Sequence, residues 1–266
     1  MITLRIFMVL ALTGLIHAQP AWHKDLSSTN FGKHERLKPC ALVYDLSWKG
    51  LINSGNLRIE FTPPDAKKKN RYVVRSSATS LGAAAALFPF ESHYWSELNP
   101  QSLTPIYFHS LEKDNREEVT ETLHYFPNRV TAIEEEKNLK TGVKKVREHT
   151  FEYGPVFDLF SAMLYIRSQE LAVGDSLNFV ICPFQTPYLM SIKVRAHEAH
   201  LGRDAIRLSV GMKKIDRETM ALKEYKKLKA DVTLWLSRDA DRIPLEIRAP
   251  AWIGDVRAVL KQHQAF

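Results

Sequence analysis

Cysteine is nearly absent from this sequence. Cys40 and Cys182 are the only two, so at most one internal disulfide can form. After residue 16 no apolar run approaches the roughly 20 residues that a membrane-spanning helix needs, which excludes a later transmembrane segment. There is no Gly-rich phosphate loop, dinucleotide fingerprint, G-x-S-x-G turn or S-x-x-K motif, so the common nucleotide and serine-hydrolase signatures are missing. Repeats, heptads and low-complexity tracts are also missing. What remains is an ordinary globular balance, 45% hydrophobic and 25% charged, over 266 residues.

The beginning of the chain sets the expected compartment. In "MITLRIFMVLALTGLIHAQP" a basic Arg5 precedes a short apolar run, and Ala18 stands at a small-residue cleavage position. That order is a secretory signal peptide over residues 1–18, and no cysteine follows the cut to carry a lipid. The mature chain is expected to be exported and soluble, in the periplasm or outside the cell. Export argues against a nucleic-acid partner despite the net charge of +7. Taking Arg5 from the 37 basic residues leaves 36 against 30 acids, an excess that suits a solubilising surface or weak attraction to anionic membranes. In an oxidising compartment Cys40 and Cys182 are candidates for a disulfide; two buried thiols are the alternative.

Residues 19–38 are polar and aperiodic and read as a flexible leader before one β-rich domain over 39–266. From Val43 onward, period-two alternation dominates. Val43–Trp48 and Asn56–Phe61 read as strands, with Pro63 and Pro64 expected to stop the second. "EVTETLHYF" and "RVTAIEEEKN" flank the turn dipeptide Pro127-Asn128. A four-residue turn over 139–142 would then set Glu136 opposite Lys145 and Glu134 opposite Arg147, which explains the charge runs without a ligand. Tyr188, Met190, Ile192 and Val194 share one strand face. The expected fold is mainly β: an antiparallel curved sheet forming a closed or half-open barrel, or a two-layer sandwich, because many strands on one core need their edges covered.

Against this background "FDLFSAMLYIRSQEL", residues 157–171, reads as one buried helix. Asp158 is placed to cap it, Ser161 falls three residues in, and Arg167 lies where a cation complements the helix dipole. A hydrolase would need Ser161 as nucleophile, or a histidine site such as His197 with Glu198, and no histidine lies in the helix segment. His197 and His200, three apart on a strand, should project to opposite faces and make a poor metal pair. Asp239 and Asp241 read as a tight polar turn rather than a calcium loop. Trp235 stands on the polar face of its strand, against either the helix or a ligand, and Pro244 marks an edge or a bulge. No catalytic, metal or cofactor site is expected.

Three segments carry a family resemblance: "YDLSWKG", "DLFSAMLYIR", and "VTLWLSRDADRIPLEIR" followed by Gly254 and Leu260. On these the chain resembles the domain-of-unknown-function 3108 family of bacterial exported proteins, over about Leu42 to Leu260. The resemblance implies an envelope-directed, β-rich protein without established catalytic residues. Asp158, Ser161, Arg167, Trp235 and Pro244 match the family pattern without assigned roles. At fold level the pattern is similar to periplasmic half-barrels that shield lipid around a helical plug. The function expected is therefore non-catalytic: binding of lipid or another hydrophobic, envelope-derived ligand, or of an envelope protein. The alternative is a periplasmic hydrolase using Ser161 or a histidine-containing site.

Overall fold

The computed structural model describes residues 19–65, 70–226, 228–251 and 254–266. The signal-peptide expectation on residues 1–18 lies outside the described residues. A first run of strands comprises β1 (Cys40–Trp48), β2 (Ile52–Asp65), β3 (Arg71–Ser80), β4 (Phe90–Leu98), β5 (Pro105–Asp114), β6 (Glu117–Phe126), β7 (Arg129–Asn138) and β8 (Lys144–Phe151). A second comprises β9 (Ser176–Ile181), β10 (Tyr188–His200), β11 (Arg203–Ile215), β12 (Leu222–Glu224), β13 (Val232–Ser237), β14 (Pro244–Ala251) and β15 (Gly254–Ala265). Helix α1 (Gly82–Leu87) interrupts the first run, and α2 (Leu159–Ser168) separates the two.

All the strands belong to one antiparallel sheet. Its order is β8-β7-β6-β5-β4-β3-β2-β1-β15-β14-β13-β11-β10-β9, with β12 paired to β11. Each run is thus largely a meander, and β1 with β15 joins them, from Cys40 opposite Ala265 to Trp48 opposite Val256. The expected cross-strand register is present: Glu134 faces Arg147 and Glu136 faces Lys145. Arg147 bonds both glutamates.

The mainly β, antiparallel fold is as expected, and its single sheet is not closed, with β8 and β9 at its ends. Two fold expectations are corrected. Pro63 and Pro64 do not end β2, which continues to Asp65 because a register shift between Thr62 and Asp65 absorbs them. Helix α2 is shorter than 157–171. Phe157 makes a parallel bridge to Ile181, and at the far end Gln169 is already extended.

The sheet wraps around α2. Phe160 and Leu164 pack into a core shared with Leu42, Phe61, Phe108 and Leu123 of the first run. Ala162, Tyr165 and Ile166 pack with Phe179, Ile192, Leu208 and Leu236 of the second. One ten-residue helix with apolar side chains on opposite flanks therefore fills the space between the two halves. The gap between the sheet's ends is spanned by side chains. The Tyr125 hydroxyl donates to the Cys182 carbonyl at 2.7 Å, the Gln185 N–H donates to Glu121 at 3.0 Å, and Arg217 reaches both His149 and the Gln185 carbonyl.

Glu121 makes that seam sensitive to pH. Burial lifts its carboxyl to about 7, against the opposing bond from Gln185, with Glu134 and Glu112 adding repulsion. A carboxyl raised in the folded state favours folding while protonated. This contribution is complete below the ordinary glutamate range and is lost as pH rises to about 7. Glu121→Gln keeps an acceptor for Gln185 and removes the charge. In urea melts the variant is expected to match the parent near pH 4.5 and to exceed it by on the order of 1–2 kcal/mol at about pH 8. Equal stability at both pH values would refute this account.

Candidate functional site

The family-pattern residues gather at the two ends of α2 and on two paired strands beyond it, β13 and β14. At the N-terminal end Asp158 is fully buried and caps the helix, as expected. Its Oδ1 accepts from the Ser161 N–H at 2.6 Å, while Ser161 Oγ accepts from the Asp158 N–H at 2.9 Å. The Ser96 hydroxyl donates to the other carboxylate oxygen, tying the cap to β4. Burial raises the Asp158 carboxyl above its ordinary value, although every hydrogen bond it receives pulls the other way. Ser161 is itself fully enclosed and committed to this box, and no described histidine bonds to it.

At the C-terminal end Arg167 lies in the last turn, as expected, and it is enclosed, with only 2% of it exposed. Its Nε and Nη2 donate to the Asp241 carbonyl at 3.1 and 2.8 Å, and Nη2 also reaches the Ala240 carbonyl at 3.3 Å. The turn reciprocates, since Arg242 donates to the carbonyls of Arg167 and Gln169 at the end of the helix. Orphan helix carbonyls and turn carbonyls are thus satisfied by two guanidinium groups crossing in opposite directions. Burial lowers Arg167 to about 10, which leaves it charged at neutral pH. Asp239 holds the turn by accepting from Ser237 and from the backbone N–H groups of Asp241 and Arg242, as a polar turn should.

The 19–38 leader is packed onto the same place, contrary to the flexible segment expected. Trp22 and Leu37 are buried, and Phe31 meets Phe157 and Tyr165 edge-on. The Gly32 N–H donates to Ser168 Oγ, the His34 N–H to the Ser168 carbonyl, and His34 Nε2 to the Ala240 carbonyl. A Cβ on Gly32 would lie 2.1 Å from the Ser168 carbonyl oxygen, so only glycine permits this approach. Arg36 in turn bonds the carbonyls of Pro100 and Gln101 between β4 and β5. Between the leader, the β4–β5 connection and the helix end lies a cavity of about 650 Å³, lined among others by Lys33, His34, Arg36, Ser102, Thr104 and Arg167. Lys33, Arg36, Arg167 and Arg242 form no ion pair with a described carboxylate, although Glu35, Glu170 and Asp241 are in the neighbourhood. His34 is held below its usual value by burial and by Arg242 and Arg167, which favours its neutral form.

Trp235 belongs to a different cluster, one that the sequence does not announce. Leu234 and Leu236 face the core around Tyr165, while the Trp235 ring stacks on His200 at 4.3 Å between centroids. Trp235 Nε1 donates to Glu198 at 2.9 Å, His200 Nε2 bonds Glu246 at 2.9 Å, and Arg248 bonds Glu246 while lying over the indole. The cover over Trp235 is an ion-pair network from β10 and β14. The only hint was polar alternation on three strands whose pairing could not be known. Pro244 sits at a bulge on an interior strand, and its carbonyl accepts from the buried Tyr44 hydroxyl at 3.0 Å. His197 turns the opposite way from His200, toward the Leu171 carbonyl, as strand geometry required. Glu198 therefore projects away from His197, and the pair cannot share a substrate. Of the two states open to the cysteines the structure has the unbridged one: Cys40 and Cys182 are free and buried, with the Cys182 thiol near the Phe184 carbonyl. Burial raises both thiols, to about 11 and about 12, so neither is a ready nucleophile. No group of metal-binding side chains occurs among the described residues, and no described helix is long and apolar enough to cross a membrane.

Comparison with known proteins agrees with this architecture. No curated protein matches the chain. Among solved structures it is similar to a β-barrel-like protein of domain of unknown function DUF1849 from Brucella abortus. The TM-score is 0.56 at 10% identity, covering 87% of this chain and 99% of that one, a likeness of fold alone. The family described as "Protein of unknown function (DUF3108)" matches over residues 43–261, a span containing α2, Trp235 and Pro244 and most of the sheet. The chain therefore belongs to the DUF3108 family.

Proposed function

We propose that this protein is an exported, non-catalytic binding protein of the cell envelope, and that it takes the anionic group of an envelope-derived ligand at the C-terminal end of α2. The observation that carries this reading is the gathering of Lys33, Arg36 and Arg167 around one cavity, with Arg242 bonded to the Arg167 carbonyl, and none of the four in an ion pair with a described carboxylate. Carbonyls of the helix end and turn fix the guanidinium groups in place, yet they do not neutralise them. An anionic ligand would complete that balance, and any apolar remainder would extend outward, because α2 fills the space inside the sheet. The hydrolase alternative finds no support in the commitment of Ser161 to the helix cap or in the divergence of His197 and Glu198.

Native mass spectrometry of protein isolated from its own envelope tests this. A co-isolated anionic adduct is expected, with occupancy falling about tenfold or more in Lys33→Glu, a change at an exposed side chain outside the carbonyl network. Protein isolated empty, or an adduct indifferent to Lys33→Glu, would overturn the assignment.

A further inference from the structure

The three most exposed large apolar side chains among the described residues, Leu51, Phe88 and Leu87, lie on two joined segments. Leu51 and Ile52 stand at the β1–β2 turn beside Trp48, exposed by 86%, 46% and 39%. Leu87 and Phe88, exposed by 69% and 77%, follow α1, with Leu81 and Phe90 on either side. The connection holding them, "LGAAAALFPF", contains no polar side chain over residues 81–90. The two segments are joined, since the Leu81 N–H donates to the Ser54 carbonyl at 3.0 Å and β2 pairs with β3 through Gly55 opposite Ser80. At Gly55 a Cβ would fall 2.2 Å from the Thr79 carbonyl oxygen, so glycine brings the two segments together. Soluble monomers seldom leave a contiguous apolar patch of this kind on their surface.

The surroundings identify what covers it. Lys49 lies over the Trp48 ring at 5.1 Å, and Arg257 packs against Gly50 in the same turn. The neighbouring turn, attached through the Lys229 N–H to the Pro250 carbonyl, adds the exposed Lys226 and Lys229. Lys49, Lys226 and Lys229 make no ion pair with a described carboxylate. The nearby acids are mostly occupied: Asp255 pairs with Arg257, Glu91 with His93 and Asp45 with Lys261. Apolar side chains on protruding turns, an indole at their base and unpaired lysines around them match the layering of a bilayer surface, from acyl chain through interface to anionic headgroup.

We infer that this end of the sheet docks on an anionic lipid bilayer, with Leu51, Ile52, Leu87 and Phe88 entering the interface and Trp48 at headgroup depth. This rests on the apolar end alone and is independent of the cavity at α2. It gives the protein a position as well as a ligand: docked by its turns, with α2 enclosed behind them.

Sedimentation with vesicles of equal parts phosphatidylcholine and phosphatidylglycerol provides the test, using the mature chain. The parent is expected to pellet with these vesicles, and less as salt rises or when phosphatidylglycerol is omitted. Leu51→Ser combined with Phe88→Ser should lower the bound fraction about tenfold or more while leaving the circular dichroism and the Lys33-dependent adduct unchanged. Lys226→Gln with Lys229→Gln should weaken binding to anionic vesicles and reduce its salt dependence. A parent that stays in the supernatant, or a Leu51/Phe88 variant that pellets as well as the parent, overturns the inference. So does a parent that is dimeric by light scattering and becomes monomeric in that variant, because a second copy would then be the occupant.

Discussion

Arg167→Met should cost the folded state about 2–4 kcal/mol, measured by urea denaturation at neutral pH. The side chain is enclosed, and the replacement fills much of its volume, so lost packing is the smaller part. The larger part is the Asp241 carbonyl, which loses both guanidinium bonds, while the Ala240 carbonyl keeps only its bond from His34. Arg167→Lys should recover only a fraction. One ammonium cannot reproduce a planar fork that places Nε and Nη2 on the same carbonyl. Arg242→Ala should be non-additive with Arg167→Met, with a coupling of about 1 kcal/mol, since each guanidinium holds the backbone that the other one needs. A methionine variant within about 0.5 kcal/mol of the parent would show that the turn is held by Asp239 and its neighbours instead.

The other end of α2 carries the second large effect. Asp158→Ala should destabilise by about 2–4 kcal/mol, because it removes the cap and leaves the Ser161 N–H and the Ser96 hydroxyl enclosed without their acceptor. Asp158→Asn should cost clearly less, and the sign of the carboxyl's shift says why. Burial raises this carboxyl, so its contribution to stability is greatest below the ordinary aspartate range and diminishes as pH rises through the folded value. The amide carries no charge to desolvate and retains one acceptor. Thermal melts across pH should show a flatter profile for Asn than for the parent. If Asn and Ala are equally damaging, the charge is needed and burial is not the dominant influence.

Much of the fold was legible because strands advertise themselves locally. The Glu134–Arg147 and Glu136–Lys145 register followed from a turn length and a period of two. The Asp158 cap followed from one acid placed before an apolar run. Arg167 was visible, but its role was not: on sequence, a cation near a helix end is equally suited to the dipole or to a turn 74 residues away. The leader was misread for a related reason. It binds through backbone groups, one glycine and two buried apolar side chains, so it has no periodicity to detect. Ser76, Ser92, Ser96 and Ser110 blurred the first run further by putting small polar side chains in buried positions. The Trp235 network required knowing that β10, β13 and β14 lie within reach of one another, which no local pattern states.

The pairing of β1 with β15 has a consequence for the order in which this chain assembles. Strands within each meander can zip as soon as their neighbours exist, since their loops are short. The β1–β15 ladder closes a loop from Cys40 to Ala265, nearly the whole chain. A chain made from its N-terminus would thus hold one edge of β1 open until its final strand arrived. During that interval the first meander is a half-finished sheet with a template edge, and folding speed is governed by the last twelve-residue strand rather than the first. Slow completion, and a need for protection while it lasts, follow from that one join.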